Sequence, residues 1–217
     1  MPSFSSSLGV LADHVGLGVV AAGLFVAGLA TAGPVVRREC RALMGFPLWM
    51  MRVALRLMGP TFPPLRVFAL IFAFNSVAIF LYMASGVLIV VPAAMAFLTG
   101  LNIGVVVLKA RQLELPGLDA AAEAQPADGP EAPAAPRWVD LCGLAVLALE
   151  LPSFWISVGM GIGMARKLTE PGQFTSEMIR HLFTERAHAY WMIVAPVLLV
   201  SAIAETAAIR GQRRRRA

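Results

Sequence analysis

The residue best placed to do chemistry is Glu150, a carboxyl group inside the apolar segment that runs from Leu141 to Ala165. This segment is long enough to cross a bilayer, and a charged carboxylate there costs about 2.5 to 3.5 kcal/mol. We therefore expect Glu150 to face protein or a water-filled cavity, or to carry a proton. Because Pro152 lacks the N–H that would bond the carbonyl of Ala148, a kink or break is predicted beside the carboxyl group.

Three more polar side chains stand inside apolar segments. Asn75 lies in the second predicted span, Asn102 in the third and Glu205 in the last. A carboxamide in a membrane usually hydrogen-bonds to a neighbouring helix, at about 0.6 to 2 kcal/mol, so helix pairing is the simpler interpretation of both asparagines and a substrate contact is the alternative. Glu205 is five residues from Arg210, which favours a position near the lipid headgroups.

Small side chains recur at helical spacing and predict close helix packing. One ridge follows Pro152, a pair flanks Asn102, and another ridge lies in the first span. Small residues at these spacings let two membrane helices approach closely. The three sets are Ser153, Ser157, Gly161 and Ala165; Gly100 and Gly104; and Gly23, Ala27 and Thr31.

The composition places these residues in an integral membrane protein. Of 217 residues, 58% are hydrophobic and 14% charged, and the mean hydropathy is +0.74. The net charge of +5 arises from basic residues that flank apolar segments, a distribution that fits membrane topology better than nucleic-acid binding. We predict an all-α, polytopic helical membrane protein with about five transmembrane helices plus interfacial amphipathic helices.

The chain divides into three parts. Residues 1–113 form a three-span part, in which Gly33 and Pro34 end the first span and residues 35–64, with arginines among apolar residues, form an interfacial helix. Residues 114–136 are rich in Ala, Pro and acid and predict a flexible cytoplasmic linker. Residues 137–217 form a two-span part with a basic tail.

The distribution of arginine predicts the orientation in a cytoplasmic (inner) membrane. With five spans, an N-terminus outside places both the 37–66 region and the 210–216 tail in the cytoplasm. Four basic residues then fall outside and argue the other way: Arg166, Lys167, Arg180 and Arg186. A re-entrant turn in residues 139–165 would bring them inside, but would export the basic tail. Asp13 and His14 precede the first span and are interpreted as an interfacial polar pair rather than a proton relay.

Motifs of catalysis and metal binding are missing from the sequence. There is no Gly-x-Ser-x-Gly, no His-Glu-x-x-His and no phosphate-binding glycine loop, so neither an enzyme nor a cofactor is predicted. Glu185 and His188 form a single Glu-x-x-His pair, whereas a di-iron bundle needs two, so no metal site is predicted. Cys40 and Cys142 are interpreted as incidental thiols.

Four apolar segments that each carry a polar residue, taken in order, resemble the stage II sporulation protein M family of bacterial and archaeal membrane proteins. They are FAFNSVAIF, TGLNIG and ALELPSFWISVGMGIGMA, followed by a last span that contains Glu205. The chain departs from the family pattern at Val146 and Leu147, where a His-Gly pair is usual, and at Ile103, where glycine is usual. The resemblance implies a multi-span scaffold without a catalytic activity of its own.

The sequence is compatible with two functions. The first is an integral membrane scaffold or assembly subunit that packs with itself or with partner membrane or envelope proteins. The second is a transporter or permease component that uses Glu150 beside a proline-broken helix. Both imply the lipid bilayer as a partner, and neither implies nucleic acid.

Overall fold

The computed structural model describes residues 4–58, 63–123 and 137–216, and these residues form helices joined by short turns. A 3-10 turn, Ser85–Leu88, extends the fourth helix, and a π-helical turn, Tyr190–Val194, joins the last two. The helices are α1 Phe4–Asp13, α2 Val15–Arg37, α3 Arg41–Met58, α4 Pro64–Ala84, α5 Val91–Glu123, α6 Arg137–Leu168, α7 Ser176–Ala189 and α8 Ala195–Arg216.

Five helical segments are long and apolar enough to cross a membrane. In the apolar 18-residue stretch of each segment, 28% to 39% of the residues are buried inside the protein, so many of the others are free to contact lipid. The prediction of an all-α, polytopic helical protein with five spans is thereby confirmed. The segments are Val15–Arg37, Pro64–Leu88, Val91–Lys109, Ala145–Leu168 and Ser176–Gly211.

The spans run alternately between two ends of the bundle. At the end that holds α1, His14 packs against Gly163 near the end of α6. At the other end, which holds α3, Met44 packs against Leu101 and Val105 of α5. The start of α4 also packs against α8, through Val67 and Ala202. We call these ends the α1 side and the α3 side.

The boundaries around α3 differ from the predicted ones. Gly33 and Pro34 do not end the first span, because α2 continues to Arg37; a proline so near the end of a helix costs only one hydrogen bond. The chain turns instead at Glu39, whose φ is 49°. In the predicted interfacial segment 35–64, residues 35–37 belong to α2 and Pro64 belongs to α4, so α3 accounts for Arg41–Met58. Residues 59–62 of the predicted segment lie outside the described residues.

The linker predicted at residues 114–136 begins as helix. The backbone of α5 continues through residues 114–123 to Glu123. Residues 124–136 of the predicted linker lie outside the described residues, and α6 begins at Arg137.

Glycines set the closest helix contacts. A Cβ atom added at Gly28 of α2 would overlap the carbonyl oxygen of Phe97, and one added at Gly100 of α5 would overlap that of Phe25. In the same way, a Cβ atom added at Gly159 of α6 would lie 2.7 Å from the backbone nitrogen of Gly18 on α2, too close for a side chain. These contacts hold α2 against both α5 and α6, and α6 also packs against α4 and α8 at the centre of the bundle.

Candidate functional site

The helix that carries Glu150 is continuous. α6 runs from Arg137 to Leu168 with Pro152 inside it, so the predicted break is not present. One lost N–H is tolerated because neighbouring side chains and helices stabilise the helix; the hydroxyl of Ser153 donates to the carbonyl of Leu149 at 2.7 Å. A re-entrant turn in residues 139–165 is excluded for the same reason.

Glu150 joins three helices through one oxygen atom. Its Oε1 accepts a hydrogen bond from Nδ2 of Asn75 on α4 at 2.6 Å and another from Oγ of Ser201 on α8 at 2.9 Å. The carboxyl group is half-buried, while Ser201 is fully buried. The polar side chain that the sequence singled out in α6 is therefore the centre of an interhelical cluster.

Glu205 adds a second carboxyl group to this cluster. It lies on α8 one turn after Ser201, is half-buried, and is close enough to Glu150 for an electrostatic interaction between the two carboxyl groups. Repulsion between two neighbouring carboxylates in a medium of low dielectric constant is relieved when one of them binds a proton or faces a cation. We call Asn75, Glu150, Ser201 and Glu205 the Glu150 cluster.

Asn102 is not a hydrogen-bond partner of Glu150. It lies half-buried on α5, which packs mainly against α2. α4 and α5 are instead linked by the hydroxyls of Tyr82 and Thr99, 2.9 Å apart. Of the two asparagines proposed from the sequence, only Asn75 belongs to the cluster.

The small residues after Pro152 pack within the chain. Ser153, Ser157, Gly161 and Ala165 are all buried. A Cβ atom at Gly161 would lie 2.6 Å from the carbonyl oxygen of Tyr82, so α6 approaches α4 closely there. Gly100 and Gly104 of α5 face α2 in the same manner.

The ridge in the first span faces away from the rest of the protein, unlike the ridge after Pro152. Gly23, Ala27 and Thr31 are exposed, and nothing lies within 4 Å of a Cβ atom added at Gly23. The face of α2 that packs inside the protein carries Gly28 and Ala32 instead. We call Gly23, Ala27 and Thr31 the outer α2 ridge, which is free of contacts from the described part of the chain at Gly23.

A second polar cluster at the α1 side is centred on Arg186, which is only 3% exposed. Its Nε donates to the carbonyl of Met160 at 3.2 Å, its Nη1 to that of Leu182 at 3.1 Å, and its Nη2 to Nε2 of His14 at 3.3 Å. Its ion pair with the more exposed Glu185 spans 3.8 Å. In the sequence, Arg186 stands out only as one of the basic residues that bear on topology.

The contacts of His14 define its protonation state. Nδ1 lies 2.7 Å from the carbonyl of Val10, which only accepts, so Nδ1 carries the hydrogen and Nε2 accepts from Arg186. Burial is the main cause that lowers the pKa of His14, and the positive charge of Arg186 lowers it further. His14 is thus a neutral link between the start of α2 and α7 rather than a simple interfacial residue.

The two residues of the Glu-x-x-His pair have different partners. His188 lies 3.0 Å from the hydroxyl of Ser7, through its Nδ1, whereas Glu185 pairs with Arg186. Within the described residues, no group of three or more His, Cys, Asp or Glu side chains is arranged to hold a metal ion.

Tyr190 is a further contact that the sequence did not indicate. Tyr190 and Trp191 are adjacent at the start of the last apolar stretch of the sequence. Trp191 is 60% exposed, but Tyr190 is fully buried in the π-helical turn, and its hydroxyl donates to the carbonyl of Ser76 at 2.6 Å. This hydrogen bond links the turn that precedes α8 to α4.

The fold and the Glu150 cluster together define an all-α, multi-pass helical protein with a polar cluster between its apolar helices. Comparisons with protein-family models, with curated proteins and with solved structures found no match.

Proposed function

We propose that the chain is an integral membrane scaffold or assembly subunit of the stage II sporulation protein M type. The observation that carries this proposal is the outer α2 ridge. Small residues in a lipid-facing position allow a second helix to approach closely, and such packing drives association where lipid tails offer no hydrophobic gain. The ridge lies on the side of α2 opposite to Gly28 and Ala32, which the protein uses for its own packing.

The Glu150 cluster supports this function by holding the bundle in one arrangement. Asn75, Glu150 and Ser201 connect α4, α6 and α8, while glycine contacts hold α2 against α5 and α6. A rigid bundle presents the outer α2 ridge in a fixed orientation, which reduces the entropic cost of association. On this proposal the polar residues determine helix pairing and perform no catalysis.

The partners of the scaffold are the lipid bilayer and other membrane or envelope proteins, including a second copy of the chain. The proposed location is the cytoplasmic (inner) membrane, with the N-terminus outside and the C-terminus in the cytoplasm. The basic residues at the α3 side support this orientation, because basic residues favour the cytoplasmic side of a membrane; they include Arg37, Arg52 and Arg210. Reporter fusions at the C-terminus, active only in the cytoplasm, test this orientation.

Capture from the native membrane tests the scaffold. The tagged protein is extracted gently and its co-purifying proteins are quantified for wild type, Ala27→Leu and Ala73→Leu. Ala73 is an exposed alanine on α4, so it controls for the added side chain. We expect wild type and Ala73→Leu to retain the same partners and Ala27→Leu to lose them. Equal retention by all three proteins would contradict the proposal.

The second candidate is a transporter or permease component, favoured by the approach of Glu205 to Glu150. Two neighbouring carboxyl groups inside a membrane are a suitable site for a transported proton or cation. The continuous α6 removes the broken helix from this hypothesis. Flux measurements on Glu150→Gln and Glu205→Gln in vesicles distinguish the candidates, since only a transporter requires the ionisable groups.

A further inference from the structure

An open groove lies between the first turns of α4 and the last apolar turns of α8. Its walls are Leu65 and Phe68 on α4 and Ile203 and Ala207 on α8. Leu65 is 80% exposed and Ile203 is 56% exposed, so the walls offer apolar surface to whatever surrounds the bundle. Both helices end their candidate spans here, at Pro64 and Gly211, which places the groove at the boundary between acyl chains and headgroups.

Positive charge lies at the polar end of this groove. Arg210 lines it and is exposed, and no carboxylate of the described residues lies within ion-pair distance of its guanidinium. Arg66 follows Leu65 in the sequence and is exposed as well. The groove therefore combines apolar walls with unneutralised arginine.

The start of α4 adds to this positive potential. Pro63 precedes the helix without any side-chain cap, and Val67 is the first residue whose N–H reaches back to the carbonyl of Pro63. The N–H groups in the first turn of any helix have no acceptor within that helix, and the dipole of the helix favours an anion at this end.

We propose that this groove binds one anionic phospholipid. The phosphate lies by Arg210 and the first turn of α4, and an acyl chain lies along Leu65, Phe68 and Ile203. Basic pockets between membrane helices select anionic headgroups, because a zwitterionic lipid brings an ammonium group that offsets its phosphate. The apolar walls select a lipid over free phosphate. This inference does not depend on the proposed scaffold.

Thermal unfolding in detergent with added lipid tests the site. Wild type, Arg210→Gln and Arg180→Gln are compared after addition of phosphatidylglycerol, phosphatidylcholine or inorganic phosphate. Arg180 is an exposed arginine on α7, so its variant matches the change in charge. We expect phosphatidylglycerol to raise the unfolding temperature of wild type and Arg180→Gln, with roughly fivefold weaker binding in Arg210→Gln.

A second variant tests the apolar wall. Ala207→Trp fills the groove from the α8 side without changing the charge, and we expect it to lose the effect of phosphatidylglycerol as well. An unchanged response in both Arg210→Gln and Ala207→Trp would overturn the site. Equal stabilisation of wild type by phosphatidylcholine would overturn selectivity for anionic lipid, and equal stabilisation by inorganic phosphate would overturn the role of the acyl chain.

Discussion

Nδ2 of Asn75 lies 2.6 Å from Oε1 of Glu150, and the hydrogen bond between them joins α4 to α6 inside the membrane-spanning bundle. The same oxygen accepts the hydroxyl of Ser201 from α8. A single carboxyl oxygen thus fixes the mutual position of three helices. Both donors also bond to an uncharged acceptor, so the arrangement does not require a negative charge on Glu150.

Substitutions at Glu150 distinguish its role as a hydrogen-bond acceptor from the role of its negative charge. We expect Glu150→Gln to keep its stability, because the amide oxygen still accepts from Asn75 and Ser201. Glu150→Leu leaves both donors unpaired and should lower the free energy of unfolding by about 1 to 2 kcal/mol. Unfolding of both variants in mixed micelles measures the difference. A glutamine variant as unstable as the leucine variant would show that the bundle needs the charge.

Two glycines on different faces should respond oppositely to alanine. Gly100→Ala places a Cβ atom against the carbonyl oxygen of Phe25 on α2, so the two helices must separate and the protein is destabilised. At Gly23 a Cβ atom meets nothing within 4 Å, and alanine is the better helix former by about 1 kcal/mol. We expect the unfolding temperature to fall for Gly100→Ala and not for Gly23→Ala. A fall of equal size in both would contradict the assigned orientation of α2.

His14 should make stability depend on pH. Its pKa is lowered from 6.5 in the folded protein by burial, and next by the charge of Arg186. The unfolded chain therefore takes up the proton first, so stability is full above about 6.5 and decreases as pH falls from there towards the folded-state pKa. A proton on Nε2 would also point at the guanidinium of Arg186, so that two positively charged donors would face each other and destabilise the fold. The hydrogen bond to the carbonyl of Val10 raises this pKa, as do the charges of Asp13 and Glu185, and all three act against the effect.

Unfolding measured between pH 5 and 8 tests this dependence. We expect His14→Gln to lose the decrease at low pH and His181→Gln to retain it, since His181 is exposed on α7. A decrease of the same size in His14→Gln would assign the pH dependence to another group.

The spans and the polar positions could be predicted because they depend on local properties. Long apolar segments bounded by basic residues predict spanning helices, and a carboxyl group within one predicts a buried polar contact. Ser201 was missed because a serine in an apolar helix usually bonds its own backbone. Arg186 was missed for a related reason: two of its three hydrogen bonds go to carbonyl groups, which the sequence does not show. Its ion-pair partner Glu185 is the adjacent residue, and neighbouring opposite charges are equally typical of an exposed helix face.

The direction in which α2 packs required the structure. Small residues occur on two opposite faces of this helix: Gly28 and Ala32 on one, Gly23 and Ala27 on the other. Either set fits the pattern for close packing, and only the position of α5 selects the first. The end of α2 was predicted too early because Pro34 is tolerated inside its last turn.

Photo-crosslinking from the outer α2 ridge tests the scaffold most directly. A benzophenone side chain is introduced at position 27 or, as a control, at position 73, and the protein is irradiated in its native membrane. We expect position 27 to give covalent adducts with a second copy or with another membrane protein, and position 73 to give adducts with lipid alone. Adducts with lipid alone from position 27 would contradict the proposed role of this ridge.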